Sequence, residues 1–565
     1  MFNLPTILKV LPLSILAFST LSTAQNASVP TVKVLNGTYS GTHSSTYNQD
    51  YFLGIPFAQP PIGDLRFRQA QPLNTTFNET RNATEYSPQC MGYGSDTWVL
   101  GNYISEDCLT LNVVRPSNAQ NLPVAVWIHG GGNTNGGSSD PRYNLSFIVE
   151  QSVYAKAPFI GVSINYRLHA WGYLFGKEIM EAGSANMGIR DQRLALHWIQ
   201  ENIAAFGGDP SKVTIWGESA GATGVGMQLL AYNGRDDGLF RGAILESGAP
   251  TGGASRYSTP EQWQPNYNKI VNATTCRNST DTLACLRTLD RDVLSNVLNS
   301  SVTSTAFWGP QIDNDFLVDS GTKLISNGSF VKVPILLGRN FDEGTSFAPK
   351  GINTTEQFLA LVKSAGPDNA TALTIAALYP DIPEIGIPAT LVGRPPPSKA
   401  ALGAQWKRAA SYIGDLRYHA SRRLMAQKWA EYNATAYSYH FNVITAGFGP
   451  TDGSGHFTEV AFMMHNVDGL GYTNAVATNP FEGKPDSYKE LARVMSRQWA
   501  SFIADLDPNN AVGAGCVNWQ VYTLDAPKNI VFDANVTNLA YEEPDTYRAE
   551  GMAYLIDRLA TDYGR

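Results

Sequence analysis

Short apolar runs recur along this chain, separated by polar, glycine-bearing stretches. Residues 124–128, 160–164, 213–216 and 335–337 are brief and rich in Val, Ile, Leu and Trp, the pattern of strands buried on both faces. Residues 436–443 alternate in the manner of a further strand. Residues 194–205 carry apolar side chains at helical spacing, which predicts a covering helix. Strand–helix alternation implies an α/β architecture: a central, mostly parallel sheet flanked by helices on both faces. In such sheets ligands sit beyond the carboxyl ends of the strands. No Pro/Ser-rich linker, charge block, low-complexity tract or repeat divides the 565 residues. One α/β unit with long insertions, covering residues 25–565, is expected.

The residues that carry chemistry follow these runs. After 213–216 comes Gly217-Glu218-Ser219-Ala220-Gly221, the G-x-S-x-G of a nucleophile elbow, a tight strand-to-helix turn that lifts a serine hydroxyl above the sheet. Directly after 124–128 comes His129-Gly130-Gly131-Gly132. Its glycines let backbone N–H groups approach a substrate oxygen, with the N–H of Ala220 as a further donor. After 335–337 an acid is available in Asp342-Glu343, and the residues alone do not choose between the two. The chain order Ser, acid, His requires a later histidine, which leaves His419, His440, His456 and His465. His419 lies in a helical stretch, His440 in a strand-like run, and His465 follows an apolar triplet. The glycine-flanked loop Asp452-Gly453-Ser454-Gly455-His456 best suits an imidazole that must reach into a cleft.

Composition adds an address. Lys9 precedes an apolar stretch over 11–21, and Ser22-Thr23-Ala24 offers a small-residue cleavage site, so residues 1–24 read as a secretory signal peptide. That stretch is short for a membrane span, and no other segment resembles one. Fourteen N-x-Ser/Thr sequons, at Asn26, Asn36, Asn74, Asn78, Asn82, Asn144, Asn272, Asn278, Asn299, Asn327, Asn353, Asn369, Asn433 and Asn535, fit a secreted, extracellular glycoprotein. The formal charge of −8 is spread without runs and argues against nucleic-acid binding. Five cysteines suit an oxidising compartment. Pairing neighbours gives Cys90 with Cys108 and Cys276 with Cys285, leaving Cys516 free, although four cysteines allow three connectivities.

With these residues in view, the chain resembles the type-B carboxylesterase/lipase family of the α/β-hydrolase fold, which includes cholinesterases and fungal secreted lipases. Residues 206–221 match the family's serine signature and residues 106–113 its second signature. Further matches are 54–61, 165–167 and 186–192, and the likeness covers essentially all of the chain after the signal peptide. The resemblance implies Ser219 as nucleophile, Glu343 as acid and His456, with Glu459 three residues on, as base. It also implies Gly131, Gly132 and Ala220 as oxyanion donors. Glu218 matches an acidic residue beside the nucleophile, Ser247 a serine near the acid, Arg66 and Glu106 an ion pair, and both neighbour disulfides the family's usual positions. Two departures stand out. Asn133 replaces an aromatic residue, and the Cys90–Cys108 loop is shorter than in lid-bearing lipases, a loop (with Tyr93, Trp98 and Tyr103) that can line a gorge but makes a poor lid. The expected activity is hydrolysis of a small-molecule carboxylic ester through an acyl-enzyme, with no metal or organic cofactor. Alternatives are a triacylglycerol or sterol-ester lipase, a choline-ester hydrolase if Trp98 binds a cation, and a non-catalytic adhesion module. The oligomeric state is left open.

Overall fold

The computed structural model describes residues 29–94, 103–252, 257–473, 478–511 and 517–565. The signal segment, Asn26, Trp98 and Cys516 lie outside the described residues.

The main sheet has eleven strands, numbered here in chain order: β1 Thr42–Ser44, β2 Gln49–Pro56, β3 Thr110–Pro116, β4 Leu122–Ile128, β5 Ile160–Ile164, β6 Gly208–Glu218, β7 Gly242–Glu246, β8 Ile335–Asn340, β9 Ala436–Phe441, β10 Lys528–Phe532 and β11 Ala540–Pro544. They lie in the order β1-β2-β3-β5-β4-β6-β7-β8-β9-β10-β11. From β5 through β10 every neighbouring pair is parallel, and antiparallel strands close both sides. All four apolar runs are strands of the parallel centre, where both faces must be covered.

Side-chain alternation divides the interior into two cores. In β4, Val124, Val126 and Ile128 face one core, whereas Ala125 and Trp127 face the other. The first core is covered by helices α1 Met187–Asn202 and α2 Ala220–Gly234, through Leu196, Ile199, Val225 and Leu229. The second is covered by α3 Asp486–Asp505, through Leu491, Met495, Trp499 and Phe502. The helix expected over 194–205 begins earlier, at Met187, and ends at Asn202 before a 3₁₀ turn, Ile203–Phe206. Its first turns bury Asp191, Gln192 and Arg193 beside Met187 and Ile189, which blurs the apolar spacing; the Asp191 carboxylate forms a bidentate pair with Arg167 at 2.6 and 2.7 Å.

Both neighbour disulfides are formed, Cys90–Cys108 and Cys276–Cys285. The ion pair beside them joins the two loops. Arg66 binds Glu106 through two bonds of 2.6 and 2.7 Å and donates its remaining nitrogen to the carbonyls of Leu286, Arg287 and Leu289. Both side chains are buried. Removing one member of such a pair strands the other charge and costs about 3–5 kcal/mol. Arg66→Met is therefore expected to lower the unfolding temperature in a thermal melt, and Arg66→Met/Glu106→Gln to recover part of the loss; equal melting of both variants would refute the ion-pair account.

Candidate active site

Strand β6 ends at Glu218, α2 begins at Ala220, and Ser219 makes the turn with φ 56° and ψ −121°. A serine held there costs roughly 1–3 kcal/mol and persists only where the surroundings over-determine it. They do so here. The Ser219 N–H donates to the Glu246 carbonyl at the end of β7 at 2.9 Å, and a Cβ on Gly221 would lie 2.0 Å from the Ile128 carbonyl oxygen at the end of β4. Glycine at 221 thus lets α2 rest directly on the sheet edge.

Oγ of Ser219 is 2.9 Å from Nε2 of His456, and Nδ1 of His456 is 2.6 Å from Oε2 of Glu343. The structure therefore brings together the three residues read from the sequence. Of the adjacent acids, it is Glu343 that meets the imidazole. Asp342 turns the other way and accepts the Ser454 N–H at 2.8 Å, bracing the loop that carries His456. Ser346 Oγ accepts the His456 N–H at 3.2 Å, and the rings of Phe347 and Tyr418 pack on the imidazole with centroids 4.9 and 5.1 Å away.

Four glutamates are buried around this line, and their environments differ. Burial pushes Glu343 up, but the His456 imidazole, the Ser247 hydroxyl and the Asn340 N–H outweigh it and hold its carboxyl below the usual range. Burial, with Glu459 and Glu343 nearby, drives Glu218 well above that range. Glu246 is driven up likewise by burial and by Glu459, although Trp216 and Trp499 both donate to it. Glu459 rises to about 7 through burial and the charge on Glu343; it accepts from Ser247 Oγ and from Asn340 Nδ2. Of the four, Glu343, bonded to His456 Nδ1, is thus the one whose environment most favours the charged form. The other histidines are packed elsewhere. Burial lowers His419 far below its usual range and takes His465 down to about 4, while His440 Nδ1 binds Glu543 at 2.5 Å.

A cavity of about 500 Å³ opens above Ser219, lined by Gly131, Gly132, Asn133, Ala220, Phe307 and Phe347, among others. The N–H groups of Gly131, Gly132 and Ala220 donate to no described residue. Gly131 has φ 93°, and a Cβ there would meet the Asn135 carbonyl oxygen at 2.1 Å. Asn133 adopts φ 59°, a conformation asparagine tolerates better than an aromatic residue, and its Oδ1 accepts from Tyr173 OH at 3.3 Å.

Comparison with known proteins accords with this geometry. The profile of the carboxylesterase family matches residues 28–548. The chain belongs to that family. It is 34% identical to Lipase 4 of Diutina rugosa over 93% of this chain and 95% of the relative. It is 32% identical to Secreted lipase 1 of Botryotinia fuckeliana over 95% of each. The solved structure of Aspergillus niger EstA superposes with a TM-score of 0.79 at 26% identity, covering 95% of this chain and 99% of that one. This carboxylesterase-family protein is an ester hydrolase of the α/β-hydrolase fold.

The gorge expectation for the Cys90–Cys108 loop can be followed only at Tyr93 and Tyr103, since Trp98 lies outside the described residues. Among its described residues none lines the cavity. Tyr93 is instead buried, bonded to Ser295 Oγ at 2.8 Å and to Trp171 Nε1 at 3.1 Å, and Tyr103 is exposed. The loop's aromatic residues suggested a lining, but these two are spent on packing and on solvent. Sequence reasoning missed the bracing role of Asp342, the ring packing of Phe347 and Tyr418, and Glu246. Asp342 and Glu246 adjoin residues that were singled out, Glu343 and Ser247, but their own contacts are set by segments far along the chain, as are those of Phe347 and Tyr418. The thirteen sequons among the described residues all have at least partly exposed asparagines.

Burial raises Asp342 from 3.8 to about 7. Between about pH 4 and 7 the folded protein therefore holds a proton that the unfolded chain has released, and this group makes stability fall as pH rises through that window. Asp342→Asn is expected to flatten the decline of unfolding temperature between pH 5 and 7.5; an unchanged slope would refute the assignment.

Proposed function

We propose that this protein is a secreted serine carboxylesterase that works through an acyl-enzyme, with Ser219 as nucleophile, His456 as general base and acid, and Glu343 as the carboxylate that orients the imidazole. The observation that carries this reading is the unbroken hydrogen-bonded line Glu343–His456–Ser219, beside backbone N–H groups that have no partner among the described residues.

In the first half-reaction His456 Nε2 takes the Ser219 proton as Oγ attacks the ester carbonyl. The tetrahedral oxyanion is held by the N–H groups of Gly131, Gly132 and Ala220, each such donor being worth about 2.7–4 kcal/mol. Glu343 stays ionised and stabilises the imidazolium, which then protonates the departing alcohol. Water repeats the sequence with His456 as base, and the acid leaves. Glu218 lies 3.3 Å from His456 Nε2. Burial drives its carboxyl well above the usual range, so it competes less strongly than Glu343 for the imidazolium charge. Ser247 supports Glu343 and Glu459 and touches no reacting atom.

Export is supported by the signal-like segment, the accessible sequons, the two disulfides and the similarity to a secreted lipase. No helix among the described residues is long and apolar enough to cross a membrane. The lipase names of the relatives favour a second reading, a triacylglycerol or sterol-ester lipase, against which stands the short disulfide loop, 18 positions between its cysteines.

Hydrolysis of p-nitrophenyl esters from acetyl to palmitoyl tests both readings. Ser219→Ala is expected to lose roughly 10⁴–10⁶ in kcat, and Glu343→Gln about 10⁴, with the fold retained. A short-chain optimum supports the carboxylesterase and a long-chain optimum the lipase. Full activity in Ser219→Ala would refute the nucleophile.

A further inference from the structure

The cavity above Ser219 carries a feature that ester hydrolysis does not require. Two arginines line it, Arg417 from the π turn Asp415–His419 and Arg565 from beyond the last helix. Arg417 holds its guanidinium carbon 5.3 Å from the centroid of Phe347, which is itself 4.9 Å from the His456 ring, so the cation stands one aromatic ring away from the imidazole. Arg565 is only 4% exposed; it donates from Nη1 to the Leu416 carbonyl at 2.9 Å, beside Arg417. Burial and the Arg417 charge push it down to about 10. Two like charges therefore face one space.

Neither has an ion-pair partner among the described residues. The third arginine on the cavity wall, Arg142, is already matched by Asp140 at 2.6 Å. Of the acids at this cavity, Glu218 forms no ion pair with either arginine and Glu343 is committed to His456. Arg565 is buried and Arg417 half-buried, and a cation withdrawn from water without a counter-charge is costly. An arginine fork also matches a carboxylate in shape, through two parallel N–H bonds.

We infer that Arg417 and Arg565 form a subsite for a free carboxylate carried by the ester, making the preferred substrates anionic esters instead of neutral ones. This rests on the hydrolase reading above. Phe307, Phe347 and Met227 on the same wall offer apolar surface to the atoms between the carboxylate and the scissile bond. The carboxylate takes no part in the chemistry: water still divides the ester into acid and alcohol.

The carboxylate can belong to the acyl or to the alcohol part, and the test separates them. The acyl arm compares mono-p-nitrophenyl esters of adipic, pimelic and suberic acids with p-nitrophenyl alkanoates of equal length. The alcohol arm compares 4-acetoxybenzoate with 4-acetoxybenzamide. In at least one arm the ratio of kcat/KM, anionic over neutral, is expected to exceed about 10. Arg417→Met and Arg565→Met should each lower that ratio, mainly through KM, and Arg417→Lys should restore part of it. The arm that responds identifies the side. A ratio at or below one in both arms, or a ratio unchanged in both methionine variants, overturns the subsite while leaving the hydrolase intact. Absence of hydrolysis of every probe, neutral ones included, overturns the hydrolase reading and the subsite with it.

Discussion

Everything in the active site depends on keeping a buried negative charge against one imidazole that lines the cavity. The Glu343 carboxylate is fully buried, a position that would ordinarily protonate it. His456 at 2.6 Å, Ser247 and the Asn340 N–H together reverse that tendency. The same burial acts on Glu218, Glu246 and Glu459 without so strong a compensation, and their carboxyls rise. Four chemically identical side chains are thereby sorted by environment. If Glu218 were ionised too, the imidazolium would have two rival partners, and the direction of proton transfer would be less well defined.

That charge arrangement is possible because a parallel sheet brings distant segments to one edge. Ile128, Glu218, Glu246, Asn340 and Phe441 end neighbouring strands, and Gly131, Ser219, Ser247, Glu343 and His456 come from the loops beyond them. The turns there are sharp. Ser219 and Ser247 have φ of 56° and 49°, and Gly131 of 93°. The rigid strands absorb this cost, since the elbow is pinned by a bond to β7 and by the contact of Gly221 with β4. Replacing any of these braces acts on catalysis through position.

How much of this was legible depended on whether a residue's role is local. The apolar runs gave the central strands because burial on both faces leaves no other composition open to them. The elbow was legible because its glycines are demanded by contacts a few ångströms away. The choice between Asp342 and Glu343 was not, since both are acids on one loop and only the direction each faces separates them. Nor was the start of α1 at Met187, because buried polar residues, Asp191, Gln192 and Arg193, interrupt the apolar spacing that marks a helix. Tyr93 misled for the converse reason: an aromatic residue in a loop can line a cleft or fill a core, and its partners Ser295 and Trp171 lie far along the chain.

The same distinction separates the reaction from its selectivity. Groups that make and break bonds sit at strand ends, where backbone geometry is over-determined and motifs survive in readable form. Of the groups that shape the rest of the cavity, Phe347 follows Glu343 on the same loop, whereas Phe307, Arg417 and Arg565 come from segments between the central strands and from beyond the last helix. Insertions can change without disturbing the charge balance around Glu343, so one reaction can be offered to substrates of different shape and charge. In this protein that freedom has placed Arg417 and Arg565 on the wall of the cavity above Ser219.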